Sequence, residues 1–224
     1  MAHGHQGGQG GRHQDHGHDH GPTHGGGDVA RDRHGNPVDL AAYLARLESP
    51  ERAAWQKPDE LVAALRLRPG AVAADVGAGP GYFTLRLARA VGPGGTVYGL
   101  DVDPRMTDLL AERARAAGLA NVVAVLAPGG DGLPPQACDL ILLVNAFHHF
   151  PDGAGYLARL AGALRPGGRL ALVDFHEGEL PVGPPPEHRV TRARIDAAVA
   201  AAGLRVAEEL TLLPYQHVLL LSRP

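Results

Sequence analysis

The stretch Val72 to Thr84 leaves few folds open to this chain, because an apolar run, a turn almost without side chains and the start of a helical repeat follow one another within it. Val72, Ala73, Ala74 and Val76 form the short apolar run expected of a strand at the centre of a parallel sheet, where helices cover both faces. Gly77, Gly79 and Gly81 then permit positive φ and let a ligand approach the backbone. From Tyr82 to Val91 the apolar residues Phe83, Leu87 and Val91 recur at helical spacing. A strand, a bare loop and a helix N-terminus in that order make a nucleotide-sized site in a doubly wound α/β fold.

The glycine spacing bears on which nucleotide. The dinucleotide fingerprint G-x-G-x-x-G needs a third glycine where Tyr82 stands; here the glycines run G-x-G-x-G, with Asp75 two residues ahead of the first. A NAD-dependent oxidoreductase is therefore the less favoured reading. Val97 to Pro104 reads as a second strand with acid at its carboxyl end, Asp101 standing 24 residues beyond Gly77. A carboxylate there can accept two hydrogen bonds from a ribose diol. Asp103, directly before Pro104, reads instead as the N-cap of the next helix.

The remaining elements follow the same alternation. Pro104 to Ala117 is predicted as a helix closed by Gly118, residues 121–126 as a third strand, and Cys138 to Val144 as a fourth, continuously apolar one. Tyr156, Leu157, Leu160, Ala161 and Leu164 share a helix that Pro166-Gly167-Gly168 stops ahead of a strand over Arg169–Asp174. Thr191 caps a helix carrying Ile195, Ala198, Val199 and Ala202, and Leu204–Leu212 and Tyr215–Leu221 close the sheet. Upstream, Val38, Ala41, Leu44 and Leu47 share one helical face after Asp39, Ser49-Pro50-Glu51 starts a second helix, and Pro58 restarts a third. The expected fold is α/β, a Rossmann-like doubly wound sheet of seven strands, mostly parallel with an antiparallel C-terminal strand. An N-terminal helical cap spans 37–68 and the main domain 69–224.

At 224 residues with 44% hydrophobic residues, the chain can build one sizeable core. No run approaches the ~20 apolar residues of a membrane span, and the N-terminus lacks the apolar centre of a secretory signal, so the expected location is cytoplasmic. The single Cys138 excludes an internal disulfide framework and a cysteine-built zinc site. A net charge of −3 gives no global electrostatic case for nucleic acid. Residues 1–36 hold eight of the thirteen histidines and eleven glycines with almost no apolar residue, and are expected to be disordered. His16-Gly17-His18-Asp19-His20 could chelate a transition metal through neutral imidazoles; the favoured alternative is a solvated tail that binds metal only incidentally. No structural metal site is expected.

Together, residues from about 70 to 222 resemble the class I S-adenosylmethionine-dependent methyltransferases, nearest in texture to those of ubiquinone and menaquinone biosynthesis. The resemblance rests on Asp75-x-Gly77-x-Gly79-x-Gly81, on Asp101, and on the stretch Leu164-Arg165-Pro166-Gly167-Gly168-Arg169-Leu170. It implies S-adenosylmethionine as cofactor, with contacts at Asp75, Gly77, Ala78, Gly79, Gly81, Asp101, Val102, Asp131 and Asn145. Asp75 would face the methionyl amine, and Asp131 is either an adenine contact or a turn residue among glycines. His148 and His149 follow the fourth strand on the ligand side of the sheet and are the candidate catalytic bases, the alternative being one packed and one solvated ring. Trp55, Gln56, Phe147, Phe175 and His176 are candidate pocket residues for a small aromatic or lipophilic acceptor, although Trp55 serves equally well as ordinary packing. The competing reading is a cofactor-binding or metal-handling protein whose histidine tail carries the physiology.

Overall fold

The structure is a computed structural model that describes residues 37–129 and 132–224; the histidine-rich segment 1–36 and Asp131 lie outside the described residues. A seven-stranded sheet runs in the order β3-β2-β1-β4-β5-β7-β6. Its strands are β1 (Val72–Val76), β2 (Thr96–Asp101), β3 (Val122–Leu126), β4 (Cys138–Val144), β5 (Leu164–Phe175), β6 (Arg205–Glu209) and β7 (Gln216–Ser222). The first five pair in parallel, and β7 is antiparallel to both β5 and β6. The expected doubly wound, mostly parallel sheet is present.

The helices are α1 (Leu40–Leu47), α2 (Pro50–Gln56), α3 (Pro58–Ala64), α4 (Thr84–Val91), α5 (Pro104–Ala116), α6 (Gly153–Ala163) and α7 (Arg192–Ala201). Alternation along β4 explains why both faces need cover. Ile141 and Leu143 join Tyr156, Leu157 and Leu160 of α6 and Ile195 and Val199 of α7 in one core; Leu140, Leu142 and Val144 join Leu61, Leu65, Phe83, Leu87 and Val91 in the other. Asp39, Asp103 and Thr191 accept the backbone N–H bonds of Ala42, Arg105 and Arg194, as N-caps do.

Local boundaries differ from the sequence expectations. Helix α4 begins at Thr84 rather than Tyr82, because Gly81 at φ +95° keeps the chain turning for two further residues. Strand β5 begins at Leu164, so the Pro166-Gly167-Gly168 break lies inside the strand as an irregularity, opposite a register shift between Cys138 and Leu140. Strand β6 ends at Glu209 instead of Leu212. Ser49 precedes α2, but its hydroxyl donates to the Glu51 carboxylate and accepts no backbone N–H at the helix start.

Gly81 also packs tightly. A Cβ there would stand 2.6 Å from Leu110 Cδ1 and 3.4 Å from Leu85 Cγ, whereas one at Gly92, also left-handed at φ +67°, would meet nothing within 4 Å. Gly81→Ala is therefore expected to destabilise by about 1–3 kcal/mol more than Gly92→Ala, read by thermal denaturation. Equal losses would show that backbone conformation alone sets the requirement.

Candidate active site

Parallel strands deliver their carboxyl ends to one edge, and the candidate residues collect there. The turn after β1 is closed on itself. Gly77 and Ala78 both donate their N–H to Leu100 O at 2.9 Å, Gly79 donates to Asp101 Oδ2 at 2.7 Å, and Gly81 donates to Ala78 O. These donors are already used, so the loop is not a cradle of free N–H groups for a pyrophosphate. Ala78 accordingly lies in the site as backbone tied to β2, and a Cβ at Gly77 would press to 3.2 Å from that of Ala146.

Asp75 is buried on the α4 side of β1, where Thr84 Oγ1 donates to its Oδ2 at 2.6 Å. Burial pushes its carboxyl up to about 6, opposed by the Thr84 hydrogen bonds and the Arg52 cation and reinforced by Asp101. Asp101 is also raised by burial, against the backbone N–H groups of Asp103 and Gly79. Each of its oxygens carries one of these bonds, from Gly79 to Oδ2 and from Asp103 to Oδ1, and retains a second acceptor position. Beside it Val102 is an exposed apolar residue.

A cavity of about 80 Å³ opens on this loop. Its lining includes Asp75, Gly77, Gly79 and Asn145, with Tyr82 and, from α2, Arg52. Asn145 sits at φ +54°, a left-handed conformation that asparagine tolerates, and its N–H donates to Val173 O at 2.9 Å. Arg52 gave no signal in the sequence, being one arginine among many on a short helix.

The larger cavity, about 510 Å³, lies beside His148. It is lined from the 3-10 turn Phe147–His149, the start of α6, the loop before α7 and α7 itself, including Phe147, His148, Phe150, His188 and Arg194. His148 Nδ1 lies 3.0 Å from Asp174 Oδ1, and both side chains are almost fully buried. The carboxylate also receives the N–H of Phe175 at 2.9 Å. An acceptor-only carboxylate at Nδ1 fixes the ring tautomer with its proton on that nitrogen, and leaves Nε2 as the basic atom. The His149 ring packs against that of His148, tilted by 52° with centroids 4.1 Å apart.

The other candidate pocket residues make different contacts. Trp55 packs on Phe175 and Tyr215 with centroids at 5.7 and 6.5 Å, and Gln56 is buried. His176 lies 4.3 Å from the His217 ring, and burial with that neighbour holds its imidazole below the usual range. None of these four lines the cavity beside His148; Phe147 does, from within the core.

A family model described as a methyltransferase domain matches residues 74–172. The chain is 35% identical to nocamycin O-methyltransferase of Saccharothrix syringae over 157 residues, 66% of this chain and 55% of that protein. It is 27% identical to demethylmenaquinone methyltransferase of Lactobacillus johnsonii over 130 residues, 57% of this chain and 52% of that one. Among solved structures, a SAM dependent methyltransferase from Aquifex aeolicus matches with a TM-score of 0.75 at 26% identity, over 80% of this chain and 96% of its own. The chain spans about half the length of the curated relatives it matches. It carries a methyltransferase domain in the class I methyltransferase fold.

Proposed function

We propose that this methyltransferase domain, carried in residues 74–172 of a class I fold, uses S-adenosylmethionine to methylate a hydroxyl group on a small aromatic or lipophilic acceptor. The observation that carries the hydroxyl reading is the buried pair of His148 and Asp174, three residues past the Asn145 that lines the glycine-loop cavity. The residues present fit the cofactor. The loop presents backbone and small side chains to the cavity, its N–H groups are spent internally rather than held for phosphate, and Asp75 and Asp101, near the carboxyl ends of β1 and β2, offer acceptors for an ammonium and a ribose diol.

When bound, the cofactor supplies a methyl group on a positive sulfur, open to in-line displacement. The protein's part is alignment, exclusion of water and disposal of a proton. A neutral hydroxyl is a poor nucleophile, and His148 Nε2 accepts its proton while Nδ1–H stays on Asp174. The carboxylate then faces an imidazolium, which it stabilises. Phe147 and Phe150 give the cavity an apolar wall suited to an aromatic or lipophilic body, in line with the small acceptors that the relatives' names describe.

The test is transfer of label from methyl-labelled S-adenosylmethionine into a panel of phenols, enols, carboxylic acids and amines. Label in phenolic or enolic ethers is the expected result; label confined to amines would overturn the hydroxyl reading. On the cofactor side, Asp101→Ala removes the tether of Gly79 as well as the diol acceptor. It is expected to weaken S-adenosylhomocysteine at least about tenfold by calorimetry. Unchanged affinity would remove Asp101 from the site. The histidine tail lies outside the described residues, and its incidental metal binding stays part of the proposal.

A further inference from the structure

Arg52 is a cation with no salt bridge among the described residues. Burial lowers its guanidinium to about 10, and no carboxylate stands within ion-pair distance of it among the described residues. Its Nε donates to Gln56 Oε1 at 2.5 Å and its Nη1 to Leu47 O at 2.8 Å. The guanidinium lies over the Tyr82 ring, 4.1 Å from the centroid. These contacts use Nε and Nη1 and leave Nη2 unassigned, on a residue that lines the glycine-loop cavity. A desolvated charge is retained only where something of opposite sign meets it.

The same cavity holds a second unmet donor. The Tyr82 hydroxyl is buried without a hydrogen-bond partner among the described residues, and Tyr82 lines the cavity beside Arg52. A third follows from a chain of amides. Because an arginine can only donate, Gln56 must present its oxygen to Arg52, so its Nε2 donates to Gln216 Oε1, at 2.9 Å. Gln216 Nε2 in turn donates to Asn145 Oδ1. The cation at one end thereby fixes the orientation of all three side-chain amides, and leaves the Asn145 NH₂ as the free group at the cavity wall. Among the described residues Asp75 is the one carboxylate in the same cavity lining. Three donors and one carboxylate around about 80 Å³ suit a small zwitterion.

We infer that Arg52, with the Tyr82 hydroxyl and the Asn145 amide, binds the α-carboxylate of the cofactor's amino-acid end, while Asp75 takes its ammonium. This rests on the cofactor reading above and adds a selection rule: the site discriminates nucleosides by the amino acid they carry. Helix α2 then belongs to the cofactor site through its half-buried cation, and the Gln56–Gln216 link ties that cation to β7.

The experiment compares two ligands with the same adenosine thioether. S-adenosylhomocysteine carries the amino acid and 5′-methylthioadenosine does not. Calorimetry on the full chain is expected to show that Arg52→Met, which keeps most of the stem volume, weakens S-adenosylhomocysteine about 10–100-fold and 5′-methylthioadenosine by less than about twofold. Arg52→Lys should recover part of the loss. Equal weakening of both ligands, or of neither, overturns the inference while leaving the cofactor reading intact. If the wild-type chain binds neither ligand, the cofactor reading fails and the inference falls with it. Should circular dichroism show Arg52→Met unfolded, the wild-type chain decides alone: S-adenosylhomocysteine α-carboxamide is expected to bind about 10–100-fold more weakly than the acid, and equal affinity overturns the assignment.

Discussion

His148→Asn is expected to lower methyl-transfer turnover by about 10²–10⁴ while the affinity for S-adenosylhomocysteine changes by less than about twofold. Asparagine is the informative replacement because its Nδ2 can still donate to Asp174, as the imidazole Nδ1 does at 3.0 Å, yet it offers no basic nitrogen. His148→Ala would confound the result, since it strips a donor from a buried carboxylate that keeps only the backbone N–H groups of His148 and Phe175. Asp174 is a positioning residue. Asp174→Asn keeps the size of the side chain, but its amide nitrogen can turn toward Nδ1 and favour the wrong tautomer. Its turnover should fall nearly as far as that of His148→Asn, and the double variant should be little worse than either single one, because both act through the same nitrogen. Independent, multiplying losses would separate Asp174 from the proton transfer. Retention of full turnover in His148→Asn would mean that the acceptor arrives already ionised or needs no base.

What the sequence made legible was whatever lies close along the chain. The strand, loop and helix of 72–91, the acid at the end of β2 and the caps at Asp39, Asp103 and Thr191 are local patterns, and local backbone chemistry determines them. The polar links of the site are not local. Gln56 meets Gln216 across 160 residues, and His148 meets Asp174 across 26, through the register of β5 against β4. Neither pairing has a periodicity to read. The same limit explains the pocket residues. Trp55 and Phe175 meet each other, while the cavity beside His148 is lined from the 3-10 turn, the start of α6, the loop before α7 and α7. A half-buried aromatic is compatible with either outcome until the packing partner is known.

Asp75→Asn is expected to stabilise the protein at neutral pH while weakening S-adenosylhomocysteine by at least about 100-fold, two effects of opposite sign from one carboxylate. Its carboxyl titrates at about 6 in the folded chain against an ordinary 3.8, chiefly because it is buried. Below about pH 4 the group is protonated folded or unfolded and makes no difference. Between about 4 and 6 the unfolded chain releases a proton that the folded chain keeps, so stability falls as pH rises, and above about 6 the full penalty of about 3 kcal/mol stands. Asparagine carries no such penalty. Its advantage in denaturant midpoint should therefore be present above pH 6 and vanish near pH 4. Binding runs the other way, since an ammonium needs the ionised form that folding disfavours. The charged groups acting on Asp75 are Asp101, which holds its proton more tightly, and Arg52, which favours release, with Thr84 donating to the carboxylate. In the wild-type chain, S-adenosylhomocysteine affinity should be flat above about pH 7 and fall up to about tenfold per unit below 6; Asp75→Asn should lose the part of that slope that Asp75 sets. A wild-type affinity that does not change between pH 5 and 7, or an Asp75→Asn variant that binds normally, would mean that the buried carboxylate serves the fold and not the ligand.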